Sequence, residues 1–134
     1  MRKSRYLFAV MLLAFMLCAG CSKTENQKLR DLDYAILSEE VLPTDLRELI
    51  DSKKEQPFEF TYSDHDRMYI CIGYGKQDKG GYSIVLDDLY LTNEAVYIHT
   101  TLLGPDPGKQ NKKTAAYPYI VIQTEQVEQP VIFE

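Results

Sequence analysis

Residues 68–74 read Met-Tyr-Ile-Cys-Ile-Gly-Tyr, a run in which large apolar side chains recur at every second position. Alternation with a period of two, carried by β-branched and aromatic residues, is typical of a β-strand with one face in a core. The same period appears at residues 58–62 before this run and at residues 82–86 and 96–102 after it. The chain around residues 68–74 is therefore predicted to consist mainly of strands.

One segment departs from this pattern and predicts a helix. Leu46, Leu49 and Ile50 fall on one helical face, Pro-Thr at residues 43–44 supplies a start signal, and Gln-Pro at residues 56–57 ends the helix near residue 54. Further strands are expected at residues 34–37, 117–122 and 131–133. The strands at 68–74 and from residue 82 are expected to form a hairpin around a Gly-rich tip at residues 75–81. The predicted class is α+β, mostly β: a small curved antiparallel sheet or sandwich with one helix packed on it.

Length and charge narrow the possible functions. The chain has 134 residues, of which 45% are apolar, with 15 basic and 20 acidic residues and a net charge of −5. This favours one small globular domain over a multi-domain enzyme or a disordered chain. Without Arg2, Lys3 and Arg5 there are 12 basic against 20 acidic residues, a net charge of −8. Because so acidic a surface repels phosphate backbones, nucleic acid is not expected as a partner.

The first 21 residues have the pattern of an export signal. Cations in residues 1–5 precede twelve apolar residues at 7–18, followed by Ala19, Gly20 and Cys21. At about 1.5 Å of rise each, the apolar residues cover only ~18 Å of a ~30 Å hydrocarbon layer, which argues against a permanent membrane helix. The end of the run resembles a bacterial lipobox, although Cys18 stands where that pattern prefers Leu. The resemblance implies cleavage before Cys21 and lipid attachment to its thiol; a plain secretory signal is the alternative.

Few residues of the mature chain are candidates for catalysis or metal binding. Cys71 would be its one free thiol, in an apolar run that favours burial and with no disulfide partner. The Asp-His-Asp turn at residues 64–66 is interpreted as solvated rather than as a metal site, and His99 as an exposed strand residue. The adjacent Asp87 and Asp88 are expected on opposite faces of a strand. No nucleophile elbow, phosphate loop or zinc-binding pattern is present, so we expect no catalytic residue, no metal and no cofactor.

Two short motifs are candidates for binding a partner. Gly80, Gly81, Tyr82 and Ser83 combine a bare backbone, which another chain could approach closely, with an aromatic anchor. The alternative is that the glycines only permit positive φ at a hairpin corner. The second motif is Tyr117, Pro118 and Tyr119, where a strand edge could pair with a partner strand.

These motifs carry a resemblance to a known family. The order Gly-Tyr-Gly, four residues, Gly-Gly-Tyr-Ser-Ile at residues 73–84, then a Gly-Pro loop at 104–108, Tyr-Pro-Tyr at 117–119 and Val-Ile-Phe at 131–133 resembles the PrcB C-terminal domain family. The similarity runs over about residues 34–134, and Lys79 stands where the family commonly has Thr. The resemblance implies a small β-rich secreted or lipidated protein.

The expected organisation and function follow from these parts. Residues 1–20 are predicted to be a lipoprotein signal peptide, residues 21–32 a lipidated N-terminus with a flexible tether, and residues 33–134 a domain like the PrcB C-terminal one. The resemblance implies a protein-binding module, anchored outside the cell to the membrane by lipid, that serves as an accessory or stabilising subunit of a surface protease. The partner would be a secreted or surface protein. The alternatives are a chagasin-like protease inhibitor that wedges a Gly-Tyr loop into a cleft, and a structural envelope lipoprotein.

Overall fold

The computed structural model describes residues 27–107 and 114–134, so the predicted signal peptide, Cys21 and the middle of the loop at residues 104–116 lie outside the described residues. The described chain contains one α-helix, α1, and one 3-10 turn, Glu39–Val41. The elements are β1 (Arg30–Asp31), β2 (Tyr34–Ile36), α1 (Thr44–Lys53), β3 (Pro57–Asp64), β4 (Arg67–Tyr74), β5 (Ser83–Leu91), β6 (Val96–Leu103), β7 (Tyr119–Glu125) and β8 (Val131–Phe133).

The strands form two four-stranded sheets. In sheet A the order is β1-β5-β6-β8, and in sheet B it is β2-β7-β4-β3. All pairs are antiparallel except β6 with β8, which is parallel. The predicted class is confirmed: the domain is mostly β, with one helix and two small antiparallel-rich sheets.

Helix α1 forms where the apolar spacing predicts it. Leu46 and Ile50 lie one turn apart and are both buried, because positions four residues apart share one helix face. They pack with Tyr69, Cys71 and Val121 on one face of sheet B. The helix therefore covers the side of sheet B that faces away from sheet A.

The main core lies between the two sheets. It draws buried side chains from β4 and β7 of sheet B and from β5 and β6 of sheet A: Met68, Ile70, Ile72, Ile120, Ile122, Leu89, Leu91, Val96 and Ile98, together with Leu32. Strand β4 is thus buried on both faces, since its even-numbered residues meet sheet A and its odd-numbered residues meet α1. Burial on both faces explains why residues 68–72 are apolar without interruption.

The hairpin predicted between residues 68–74 and the strand after residue 82 is wrong. Strand β4 pairs with β3 and β7 in sheet B, whereas β5 pairs with β1 and β6 in sheet A. The glycine-rich segment 75–82 therefore crosses from one sheet to the other. Two alternating strands joined by glycines look the same in sequence whether they pair with each other or face each other across a core.

The N-terminal boundary and the two aspartates also differ from expectation. Strand pairing begins at Arg30, inside the range predicted as a tether, and Leu32 is 3% exposed in the main core. In β5 the register shifts between Leu86 and Asp88, which leaves the Asp87 backbone without a register partner on β6. Both Asp87 and Asp88 are exposed as a result, because a bulge inserts an extra residue and re-aims the side chains around it.

Candidate functional site

The two predicted binding motifs lie at the same end of the sandwich. Strands β4 and β6 end there and β5 and β7 begin there, so the crossover 75–82 and the segment 114–118 are neighbours. Gln77 N–H donates to the Ala116 carbonyl at 2.8 Å, and Ala116 N–H donates back to Gln77 at 3.0 Å. Tyr74 N–H donates to the Pro118 carbonyl at 3.0 Å. These backbone bonds extend the β4–β7 pairing and hold the crossover, which leads into the first motif, beside the segment that leads into the second.

The paired glycines of the crossover differ in what the fold requires of them. Gly81 has φ 94°, in the region that favours glycine, so its backbone conformation explains the residue type. Gly80 has no positive φ, and a Cβ built on it meets no atom within 4 Å. Nothing in the described fold therefore requires glycine at residue 80.

Tyr82 and Ser83 lead from the crossover into sheet A. Tyr82 is half-buried, and a Cβ on Gly104 would lie 4.0 Å from its Cε1 atom, so the ring borders the loop that follows β6. Ser83 begins β5, is exposed and pairs with Leu103, which is 46% exposed. Gly80, Tyr82 and Ser83 thus offer surface at this end of the domain.

The three residues of the second motif have different surroundings. The Lys54 ammonium lies 5.6 Å from the centroid of the Tyr117 ring, and the Pro118 carbonyl is used by Tyr74. Tyr119 packs beside the cluster under α1, and burial raises the pKa of its hydroxyl, with the carboxylates of Glu39 and Asp51 adding to the shift. The Tyr117 ring therefore lies beside a lysine, whereas the Tyr119 ring contributes to packing.

A cleft opens between the sheets on the flank formed by β3 and β8. It has a volume of about 530 Å³ and is lined by Pro57, Phe58, Glu59, Ile72, Gly73, Tyr74, Ile98, Thr100, Phe133 and Glu134. The Tyr74 hydroxyl and the Thr100 hydroxyl are 2.7 Å apart and share a hydrogen bond that links the two sheets. The cleft therefore has an apolar and hydroxyl-bearing wall, with the carboxylates Glu59 and Glu134 among its lining residues.

Sequence reasoning missed a polar cluster on the outer face of sheet A. His99 Nδ1 lies 2.9 Å from Asp87 Oδ2, and the Thr101 hydroxyl donates to the same carboxylate. The hydroxyl contacts the carboxylate rather than the imidazole, so the order nucleophile, histidine, acid of a hydrolytic triad is not formed. The sequence does place Asp87 and His99 on outward-facing positions of their strands. It does not reveal that they are in contact, because their contact depends on the bulge in β5.

The remaining candidate residues for chemistry are Cys71 and His65. Cys71 is fully buried, as its apolar run predicts, and burial raises the pKa of its thiol to about 12. His65 stands on the tip of the β3–β4 turn with φ 54° and a 92% exposed side chain. In the ranges 27–107 and 114–134, no group of three or more His, Cys, Asp or Glu residues could hold a metal ion. Among the helices of the same ranges, none combines the length and apolar character needed to cross a bilayer.

Comparison with known proteins tests the resemblance to the PrcB C-terminal family. No curated protein and no solved structure matches the chain. The PrcB C-terminal family matches residues 68–125, a segment that runs from β4 to β7 and contains both predicted binding motifs. The matched segment ends before Val131, so the resemblance is confirmed over the middle of the domain. Over residues 68–125 the chain is therefore similar to the PrcB C-terminal family, as its motifs predict.

Proposed function

We propose that this protein is a non-catalytic accessory subunit of a surface protease complex, held outside the cell by a lipid on Cys21. The match to the PrcB C-terminal family supports an association with such a complex. The lipobox-like sequence before Cys21 supports the anchor, since the two acyl chains of a diacylglyceryl group linked to the cysteine sulfur contribute ~0.8 kcal/mol per buried methylene and make attachment lasting.

The observation that carries the proposal is the position of Gly80. The fold has room for a side chain there and no conformational need for glycine. A half-buried bare backbone at Gly80, followed by the exposed Gly81 and by Tyr82, is an arrangement that lets a partner chain approach closely. We infer that Gly80, Gly81, Tyr82 and Ser83 form the primary contact with the protease partner and that Tyr117 and Pro118 border it.

No observation favours the inhibitor alternative. That alternative relied on a Gly-Gly-Tyr hairpin tip that could wedge into a cleft, and residues 75–82 instead run between two sheets. The segment also bonds to Ala116 through Gln77, which ties it to the body of the domain.

Cross-linking in the native host tests the function. The tagged full chain is cross-linked and purified, its partners are identified by mass spectrometry, and the recovered material is assayed for proteolysis. We expect a protease or a protease subunit to be recovered with the wild-type chain. Recovery of no such protein would contradict the accessory role.

A pair of valine variants tests the contact surface. Gly80→Val adds a side chain where the fold has room, and Asn93→Val places the same valine in the exposed turn between β5 and β6, at the opposite end of the sandwich. We expect Gly80→Val to reduce recovery of the protease about tenfold, as for a contact at the centre of an interface, and Asn93→Val to leave it unchanged. Equal recovery with both variants would remove Gly80 from the interface.

A further inference from the structure

Strand β3 is an edge strand whose outer side has no strand beside it among residues 27–107 and 114–134. It is eight residues long and stands last in sheet B, and among the described strands only β4 pairs with it. The other edge strands are shorter: two residues in β1 and three residues each in β2 and β8. Because an unpaired edge presents a row of free N–H and C=O groups, β3 is the longest row of this kind that the described residues provide.

The register identifies which backbone groups are free. Tyr74 N–H points toward β7, where it donates to Pro118, and successive residues of an antiparallel strand bond to opposite sides. Gly73 therefore bonds toward β3, where its register partner is Phe58. Counting along β3 without a bulge, residues 58, 60 and 62 bond to β4, and Glu59, Thr61 and Ser63 direct their N–H and C=O groups to the open side.

The two faces of this edge differ in chemistry. Phe58, Phe60 and Tyr62 lie half-buried on the side of α1, where they flank the helix-side cluster. Glu59, Thr61 and Ser63 are exposed on the other side, and Glu59 lines the cleft together with Glu134. A strand laid beside β3 would therefore place alternate side chains against an aromatic row and against two carboxylates.

We propose that the free edge of β3 is a strand-addition site for an extended partner segment in which basic side chains alternate with apolar ones. The proposal rests on the accessory-subunit function, because it names a second surface by which that subunit holds its partner. Main-chain hydrogen bonds to Glu59, Thr61 and Ser63 supply affinity, and the alternation of charge supplies specificity. A second copy of the chain fits less well, since pairing β3 with β3 places Glu59 residues of two acidic chains on one face, where like charges repel.

A synthetic peptide tests this surface without knowledge of the natural partner. The probe is a fluorescent eight-residue peptide of alternating Lys and Val, matched to the length of β3. Its binding to the full chain is measured by fluorescence anisotropy, beside a peptide with Glu in place of Lys and a peptide of the same composition in shuffled order. We expect the alternating Lys-Val peptide to bind at least about tenfold more tightly than either control, as charge complementarity and register require. Equal binding of the three peptides, or no binding of the first, would overturn the proposal.

Two substitutions of Thr61 distinguish the contribution of its backbone N–H to peptide binding from that of its side chain. Thr61→Pro removes an outward N–H without removing a bond to β4, and Thr61→Ala removes the side chain but keeps the N–H. We expect Thr61→Pro to weaken peptide binding about tenfold, with Thr61→Ala close to wild type. Unchanged binding by a folded Thr61→Pro chain would contradict strand addition. Self-association of the wild-type chain that Thr61→Pro abolishes would also overturn the proposal, in favour of a second copy.

A charge-reversal variant and N-methylated peptides complete the test of the β3 site. Glu59→Lys should reverse the preference toward the Glu-Val peptide; a retained preference for Lys would contradict the role of Glu59. Should Thr61→Pro not fold, peptides N-methylated on alternate residues replace it, since one methylation register blocks the bonds to β3 and the other leaves them intact. Equal binding of the two methylated peptides would contradict the proposal. The peptide results do not depend on a protease, so failure of the β3 site and failure of the accessory role are distinguishable.

Discussion

The ring of Phe58 occupies the space that a side chain on Gly73 would need. The two residues are register partners on β3 and β4, and a Cβ built on Gly73 would lie 2.2 Å from Phe58 Cε1. An aromatic ring laid over a glycine on the neighbouring strand protects the bare backbone from solvent and pins the register. Gly73, the first glycine of the family-like motif, is thus explained by packing.

The contact predicts a loss of stability in Gly73→Ala. The methyl group forces the Phe58 ring to move, and overpacking of this kind costs ~1–3 kcal/mol of the free energy of unfolding. Gly80→Ala is the matched control, because no atom lies within 4 Å of a Cβ there, and we expect a change below ~0.5 kcal/mol. Urea unfolding of both variants measures the difference. Equal stability of the two variants would show that the Phe58 ring relaxes without cost.

The hydrogen bond between Tyr74 and Thr100 links sheet B to sheet A. Tyr74→Phe and Thr100→Val each leave one half-buried hydroxyl without this partner, and each is expected to lower the free energy of unfolding by ~1 kcal/mol. Because the two substitutions remove the same bond, the double variant should lose less than the sum of the single losses. Strictly additive losses in a double-mutant cycle would argue against a coupled pair.

Cys71 predicts a pH dependence at the alkaline end. Burial raises the pKa of the thiol from its ordinary 9.0 to about 12, so the folded chain keeps a proton that the unfolded chain loses. The stability that this thiol contributes is present in full below about pH 9 and is lost as the pH rises toward about 12. We expect the free energy of unfolding to fall more steeply across this window in the wild type than in Cys71→Ala. Parallel pH profiles would mean that the thiol titrates normally in the folded chain.

The lipid attachment that we propose at Cys21 predicts a change of location in the Cys21→Ala variant. The wild-type chain should incorporate labelled palmitate and sediment with membranes, because two acyl chains hold it there. Cys21→Ala should lose both properties, and Cys71→Ala, which alters a buried thiol, should keep them. Palmitate incorporation that persists in Cys21→Ala would place the lipid elsewhere.

Local patterns were sufficient for the helix and for the strands after residue 33, whereas β1 and the pairing of the strands were not predictable from them. Leu46 and Ile50 marked the helix and its buried face, and the alternation at residues 58–62 and 68–74 marked β3 and β4, because burial of one face imposes these periods on any amphipathic element. The same alternation led to the wrong pairing of β4 with β5. A period of two reports that a strand has a core face and does not identify the strand beside it.

The predicted binding motifs, too, could be identified only in part from the sequence. Gly80, Gly81, Tyr82 and Ser83 could be named from residue types alone, as could the isolation and burial of Cys71. The different requirements at Gly73, Gly80 and Gly81 could not be told apart, because a glycine's φ and neighbours exist only in the folded chain. The Asp87–His99 contact was likewise hidden, since it depends on a bulge.

The amino-acid sequence by itself determined the β-rich class, the helix at Thr44–Lys53, the burial of Cys71 and the similarity of residues 68–125 to the PrcB C-terminal family. These properties follow from side-chain periodicity and composition, which act over a few residues. Only the tertiary structure decided that residues 75–82 connect two sheets, that the two predicted binding motifs lie at one end and that β3 is an edge strand among the described residues. Each of these depends on contacts between residues far apart in the chain, whose free energy is gained only when both sheets close over a common core.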